Sequence, residues 1–217
     1  MVAYERAMTK WALSVDGPTL CFDQVFGLDV DRAGDIDGGV DGDIVLDIGF
    51  GGGEALIELA EMRPNEHVIG VDIHTPGIAA VLEAIANRAL TNVRVVDGDV
   101  IDFADRVPPR SLAGIRVFFP DPWPKQRQRG RRLIRPDVVR RLVPLLRVGG
   151  SLHLATDCDD YATQMLRVCD EDAGLQGGVP GQAGGVVDRP PWRPITRFEQ
   201  RGIEEGRRSV DLIYIAS

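Results

Sequence analysis

The stretch Ile44-Val45-Leu46-Asp47-Ile48-Gly49-Phe50-Gly51-Gly52-Gly53-Glu54 narrows the choice of fold more than any other. Residues 44–48 read as a buried strand, the glycines as a tight turn, and the residues from Glu54 to about Glu61 as a helix. Gly49, Gly51 and Gly53 let the backbone take positive φ and approach a ligand closely. The helix start adds unpaired N–H groups. Further strands are expected over 68–71, 93–96, 115–119, 151–155 and 210–215, with helices over 76–89 and 136–146 between them. Strands alternating with helices give an α/β, doubly wound sheet with helices on both faces.

The strand ends carry the ligand chemistry. Asp72 closes the second strand nineteen residues after Gly53, where an acid reaches ribose hydroxyls in nucleotide-cofactor folds. A dinucleotide fingerprint needs GxGxxG, but the sixth position here is Glu54, so the pattern is GxGxG with Asp47 just before it. An added carboxylate suits a cationic ligand better than a pyrophosphate. S-adenosylmethionine, with its sulfonium and ammonium, is therefore favoured over NAD. Asp97, Asp99 and Asp121 also follow strands. Each alone is a candidate cap or turn residue; several at one edge of a parallel sheet point to a ligand trough.

The 115–119 strand stops at Pro120, and Pro120, Pro122 and Pro124 alternate with Asp121, Trp123 and Lys125 on a stiffened loop. A carboxylate, an indole and an ammonium together suit a flat polar ring. From Lys125 to Arg135 there are six positive charges (Lys125, Arg127, Arg129, Arg131, Arg132, Arg135) and no negative one. A basic run is most often a solvated face. Beside a base-sized pocket it becomes a phosphate-binding patch.

Net charge is 25 − 33 = −8, which argues against a general nucleic-acid binder. The charge is segregated, however, with seven aspartates and only Arg32 as a basic residue between Asp23 and Asp43. Residues 29–43 read as an Asp/Gly-rich linker, and residues 4–15 as a short helix. Residues 1–43 thus form an N-terminal segment ahead of a domain spanning 44–217. The linker's opening resembles a calcium loop, but Ala33 and Val40 stand where acidic ligands belong. Cys21, Cys158 and Cys169 share no metal or redox spacing, and His67, His74 and His153 form no ligand pattern, so no metal is expected. No membrane span or signal peptide is read, and the protein is expected to be soluble and cytoplasmic, with no obligatory protein partner.

Toward the C-terminus, Thr156 and Asp159 fit a capping box for a helix running to about Asp172, with Asp157 inside that cap or free for a ligand. Residues 174–189 read as a Gly-rich loop. Residues 193–202 lack helical periodicity, as a substrate-facing segment would.

LDIGFGGG, GVDIHTPG, FFPDPWPK with its arginine run, LATD and RPITRFEQRG occur in the order found in the bacterial tRNA (guanine-N7-)-methyltransferases. From about residue 44 onward the chain resembles that family, and FPDPW with a late TxFExRG is the specific part. The resemblance implies a Rossmann-like, mostly parallel sheet of seven strands whose last strand is antiparallel. It also implies methyl transfer from S-adenosylmethionine to N7 of the tRNA variable-loop guanine at position 46. Asp47, Asp72, Asp99 and Asp121 would contact or border the donor. Lys125, Asp157 and Thr196-Arg197-Phe198-Glu199 would bind tRNA, alongside Arg127, Arg129, Arg131 and Arg132 of the basic run. The chain departs from the family at Pro124, where a histidine is common, and in its arginine-poor leader, of which Glu5-Arg6-Ala7-Met8-Thr9-Lys10 remains.

Guanine N7 carries no proton, so no general base is required, and catalysis rests on positioning. Asp121 either stabilises positive charge developing on the purine or grips N1–H and N2–H of guanine. Trp123 either stacks on an exposed base or braces its loop. Three rival readings stand: a nicotinamide-dependent oxidoreductase, a non-catalytic RNA-binding protein, and a methyltransferase with another RNA or small-molecule acceptor.

Overall fold

The computed structural model describes residues 2–27, 42–178 and 184–217. The expected linker lies, but for its last two residues, outside them. Strands β1 (Ala12–Leu13), β2 (Asp43–Ile48), β3 (Glu66–Asp72), β4 (Val93–Asp97), β5 (Leu112–Phe118), β6 (Leu146–Thr156), β7 (Leu175–Gly177), β8 (Val186–Val187) and β9 (Val210–Ala216) form one sheet. Its order is β1-β4-β3-β2-β5-β6-β9-β7, with β8 also beside β9. Strands β1 to β6 run parallel, and β9 is antiparallel to β6, β7 and β8. The doubly wound, mostly parallel plan with an antiparallel last strand is as expected. The described residues form nine strands, against seven implied by the resemblance and six located in the sequence, because β1, β7 and β8 are too short for periodicity to register.

Helices α1 (Val2–Trp11), α2 (Phe22–Phe26), α3 (Glu54–Met62), α4 (Thr75–Arg88), α5 (Val100–Ala104), α6 (Pro136–Leu142), α7 (Asp159–Asp170) and α8 (Arg197–Glu204) complete the described chain. None is long and apolar enough to cross a membrane. Four expectations need correction. The first helix ends at Trp11, not near residue 15, because Ala12 and Leu13 pair with Val95 and Val96 on the open edge of β4. The helix expected over 136–146 stops at Leu142, tightens into a 3₁₀ turn around Pro144, and Leu146 opens β6. The 174–189 stretch supplies β7 and β8. Thr156 and Asp159 form no capping box: the N-cap of α7 is Cys158, and the Thr156 hydroxyl accepts from the Cys158 N–H at 3.2 Å.

Strand alternation sorts the core into layers. Ile44, Leu46, Ile48, Ile69, Val71, Ile115, Val117, Leu152, Leu154, Leu212 and Tyr214 point to one face and pack with α5, α6 and α7. On the other face Val68, Val93 and Val95 meet Leu56, Ile57, Ala60, Ile78, Val81, Leu82 and Ile85 of α3 and α4. Ala7, Met8 and Trp11 of α1 pack there too, which ties the N-terminal helix to the domain. Leu46, Ile69 and Ile115 are fully buried, each contributing about 1.5–3 kcal/mol.

The order in which strands are added reverses between β2 and β5, which are parallel neighbours although β3 and β4 separate them in sequence. In open α/β sheets this switch point opens a crevice at the strands' carboxyl ends. Here it brings the glycine turn after β2 beside the Pro-rich loop after β5.

The turn itself needs glycine. Gly53, at φ +79°, is the N-cap of α3, and a Cβ there would lie 2.1 Å from Val81 Cγ2. Gly53→Ala is therefore expected to combine backbone strain with overpacking and lower unfolding free energy by about 2–4 kcal/mol. Urea denaturation measures this; an unchanged midpoint would show that α3 and α4 can part without cost.

Candidate active site

Asp72 braces the glycine turn. Its carboxylate accepts from the Gly51 N–H at 2.7 Å and the His74 N–H at 2.8 Å. Gly77, at the start of α4, comes so close that a Cβ there would sit 1.8 Å from the Gly51 carbonyl. Turn, acid and helix start are therefore one packed unit. Beside it Ile73 is 75% exposed, an apolar surface that the sequence reading passed over. Asp99 is the N-cap of α5 and accepts from the Ile101 N–H at 2.8 Å. It lies at the same sheet edge, as expected, and also serves as the cap.

Asp47 is different. It is 3% exposed, and its Oδ2 has no hydrogen-bond partner. Burial pushes its carboxyl up, Arg116 pulls it down, and Glu66 and Asp72 push it up again, leaving the pKa at about 6. A carboxylate so held costs stability when ionised.

The loop after β5 is strained at both ends of the Pro-Asp-Pro step. Phe119 has φ +52° and Trp123 has φ +41°, conformations that cost about 1–3 kcal/mol each in a non-glycine residue. Such strain persists only where surroundings enforce it. Arg132, 1% exposed, is one of the enforcers. It donates to the Pro122 carbonyl at 2.7 Å, to Gln164 at 2.9 Å and to Asp160 at 2.5 Å, and lies over the Tyr161 ring. Expected among the phosphate binders, Arg132 instead holds the loop from inside. The rest of the run folds as a 3₁₀ helix, Gln126–Arg131. Lys125, Arg127, Arg129 and Arg131 are exposed there. Arg129 pairs with Asp160 at 2.9 Å, and the Arg131 guanidinium covers the Trp123 ring at 5.0 Å. Asp121, between the strained residues, is exposed.

The 193–202 segment was expected to lack helix; residues 197–204 form α8. Its buried face carries Glu199 and Gly202 instead of apolar residues, so no hydrophobic period marks it. Thr196 is its N-cap, accepting from the Glu199 N–H at 3.1 Å. Arg197 reaches across to Glu54 at 3.4 Å, and the Phe198 ring lies 5.6 Å from that of Phe119, so α8 leans over both the glycine turn and the Pro-rich loop. Glu199 points inward and is 2% exposed. Asp157 accepts from Arg207 at 2.7 Å.

A row of ionisable residues missed in the sequence runs across the sheet behind the site. Asp47 pairs in register with Arg116, and Arg116 with His153. Arg116 donates to Glu66 at 2.7 Å, His153 bonds Asp211 at 2.8 Å, and Trp192 covers both Arg116 and His153. One charge per apolar strand, at the alternate position, was the available signal.

A family model described as "Putative methyltransferase" matches residues 41–212. The fold is similar to that of the 16S rRNA methyltransferase KamB, with a TM-score of 0.57 and 19% identity over 81% of this chain and 88% of that one. The fold is that of a class I methyltransferase. The chain is 39% identical over 213 residues to the tRNA (guanine-N(7)-)-methyltransferase of Streptomyces avermitilis, covering 98% of this chain and 69% of the relative. It is 47% identical over 171 residues to that of Thiobacillus denitrificans, covering 78% and 74%. It belongs to the tRNA (guanine-N(7)-)-methyltransferase family.

The Asp47 carboxyl makes a signed prediction. Its folded pKa is raised from 3.8 to about 6, so its favourable contribution is complete below about pH 4 and lost as pH rises through 6. Asp47→Asn is expected to be increasingly more stable than wild type from pH 4 to pH 7, by up to about 3 kcal/mol. Denaturant unfolding at several pH values measures the difference; a pH-independent gap would mean that Asp47 titrates normally.

Proposed function

We propose that this chain transfers a methyl group from S-adenosylmethionine to N7 of the variable-loop guanine, position 46, of tRNA. The observation that carries the reading is the strained, Asp121-bearing loop beside the glycine turn at the switch point, flanked by exposed Lys125, Arg127, Arg129 and Arg131.

The residues present fit the donor. A buried carboxylate with an unpartnered oxygen, Asp47, suits a ligand bearing two cationic groups, and a cation there would favour its ionised form. Gly49, Gly51 and Gly53 let the backbone approach the ligand, Asp72 offers its remaining lone pairs to ribose hydroxyls, and Asp99 and Ile73 border the base. S-adenosylmethionine supplies, when bound, a methyl group activated by its sulfonium.

The protein's remaining work is positioning. Guanine N7 has an in-plane lone pair and no proton, so no side chain need remove one. Asp121 holds a carboxylate on a stiff loop, either against the charge that develops on the purine or against N1–H and N2–H. The exposed basic residues grip the tRNA backbone, with a salt dependence set by the phosphates neutralised. Thr196, Arg197, Phe198 and Asp157 form the opposite wall. Acting on tRNA, the protein would work in the cytoplasm.

Incubating the protein with S-adenosylmethionine and an unmodified tRNA transcript, followed by borohydride–aniline cleavage, tests the reading. Cleavage is expected at the variable-loop guanine alone. Methyl incorporation at another base would move the acceptor, and none at all would refute the reading.

A further inference from the structure

Arg193 makes no appeal as a substrate residue. Its side chain is wholly buried, and among the described residues it is one of the largest side chains so placed. The guanidinium donates to both oxygens of Glu199, at 2.7 Å each, and to both oxygens of Asp211, at 2.7 and 2.9 Å. It also lies 5.6 Å from the Phe118 ring centre and 5.4 Å from that of Phe119. One planar cation thus touches the end of β5, the start of β9 and the inner face of α8.

The electrostatics close around it. Burial pushes the Arg193 pKa down, but the hydrogen bonds it donates to Glu199 and Asp211 more than reverse this. Burial pushes the Asp211 carboxyl up, and its bonds to His153 and Arg193 bring it below its ordinary value. Burial holds His153 below its ordinary pKa, so the imidazole is neutral at pH 7 and its Nε2–H donates to Asp211. Arg189 stands 3.6 Å from Glu199 and balances the second carboxylate. Every oxygen of Glu199 and Asp211 is engaged within the protein, with the Ser209 hydroxyl donating to Glu199 at 2.9 Å.

Ion groups this deep cost more to desolvate than apolar residues of the same volume, and their return is direction, not stability. The fork geometry fixes the angle between its partners as an apolar contact would not. Those partners lead to the two walls of the crevice. Glu199 belongs to the helix whose outer face bears Arg197 and Phe198. Phe119 is the strained residue two before Asp121.

Resting on the methyl-transfer reading above, we propose that Arg193 is a positioning residue, which through Glu199 and Phe119 sets α8 against the Asp121 loop. Glu199 then acts through Arg193 and does not touch tRNA.

A double-mutant cycle tests this. Arg193→Lys keeps the charge and loses the fork; Glu199→Gln keeps the shape and loses the charge. Methylation of tRNA transcript is measured for wild type, both singles and the double, with donor affinity by calorimetry and Tm for each. Each single is expected to lower kcat by about 10- to 100-fold, as a misplaced site does. Donor affinity and the tRNA KM stay within about twofold, and the double is no slower than the slower single. Multiplying losses in the double would overturn the proposal by giving Glu199 an independent role at the substrate, as would wild-type kcat in either single. If the singles do not stay folded, Ser209→Ala removes one bond to Glu199 at a half-buried position. Its kcat is expected to fall at unchanged donor affinity, and an unchanged kcat would overturn the proposal. Absence of methylation by wild type would instead strike the functional reading itself.

Discussion

The hydrogen bonding of β2 to β5 is the constraint on which the rest depends. Val45, Leu46 and Asp47 pair with Gly114, Ile115 and Arg116, and that register aligns the two strand ends. Where β2 gives way to glycine, the backbone turns sharply into α3. Where β5 gives way to proline, the ladder cannot continue. Two different ways of ending a strand thus meet across one pair of hydrogen-bonded neighbours, and the space between them is the crevice. Moving the register by one residue would exchange the faces of Asp47 and Ile48 and fill the site with apolar side chains.

The two faces of the sheet are unequal because the site needs them so. One is a conventional apolar layer under α5, α6 and α7. The other is apolar only as far as α3 and α4 reach, and from β2 to β9 it carries Asp47, Arg116, His153 and Asp211, with Trp192 against Arg116 and His153 and Arg193 against Asp211. That row offers little net stabilisation. What it provides is directional bonding at its α8 end, where hydrogen bonds join His153, Asp211, Arg193 and Glu199. The strained Phe119 sits against Arg193 of this framework, and Arg132 holds the loop through the Pro122 carbonyl.

The fold was legible because its strands and glycine turn obey strict local rules. The period-2 runs, the spacing from Gly53 to Asp72 and the proline stop after Phe119 each predict an element that exists. The misses have physical causes. Strand β1 is two residues long and exists because β4 had an unpaired edge, which no local pattern reports. Helix α8 buries Glu199 and Gly202, so its periodicity is carried by a charge and a glycine. Arg132 reads as one more cation in a solvated run, and only tertiary packing turns it inward. Arg116, His153 and Asp211 were visible as single charges inside apolar strands, yet an isolated sequence does not say which other charge each will meet. Asp72 and Asp99 show the converse: sequence logic placed both at one sheet edge, and the structure adds that both tie backbone amides.

Asp121 is where these features converge: an exposed carboxylate on a strained loop, beside the crevice at the switch point and the basic 3₁₀ helix. Its substitution by the isosteric amide tests the central claim most directly. The decisive quantity is single-turnover methylation of tRNA by Asp121→Asn at saturating donor and tRNA, with tRNA affinity measured alongside. Losing one preorganised electrostatic contact should slow transfer by about a hundredfold, roughly 3 kcal/mol, while tRNA binding barely changes. Transfer at the wild-type rate would contradict the account, leaving the loop a structural feature and the chemistry elsewhere.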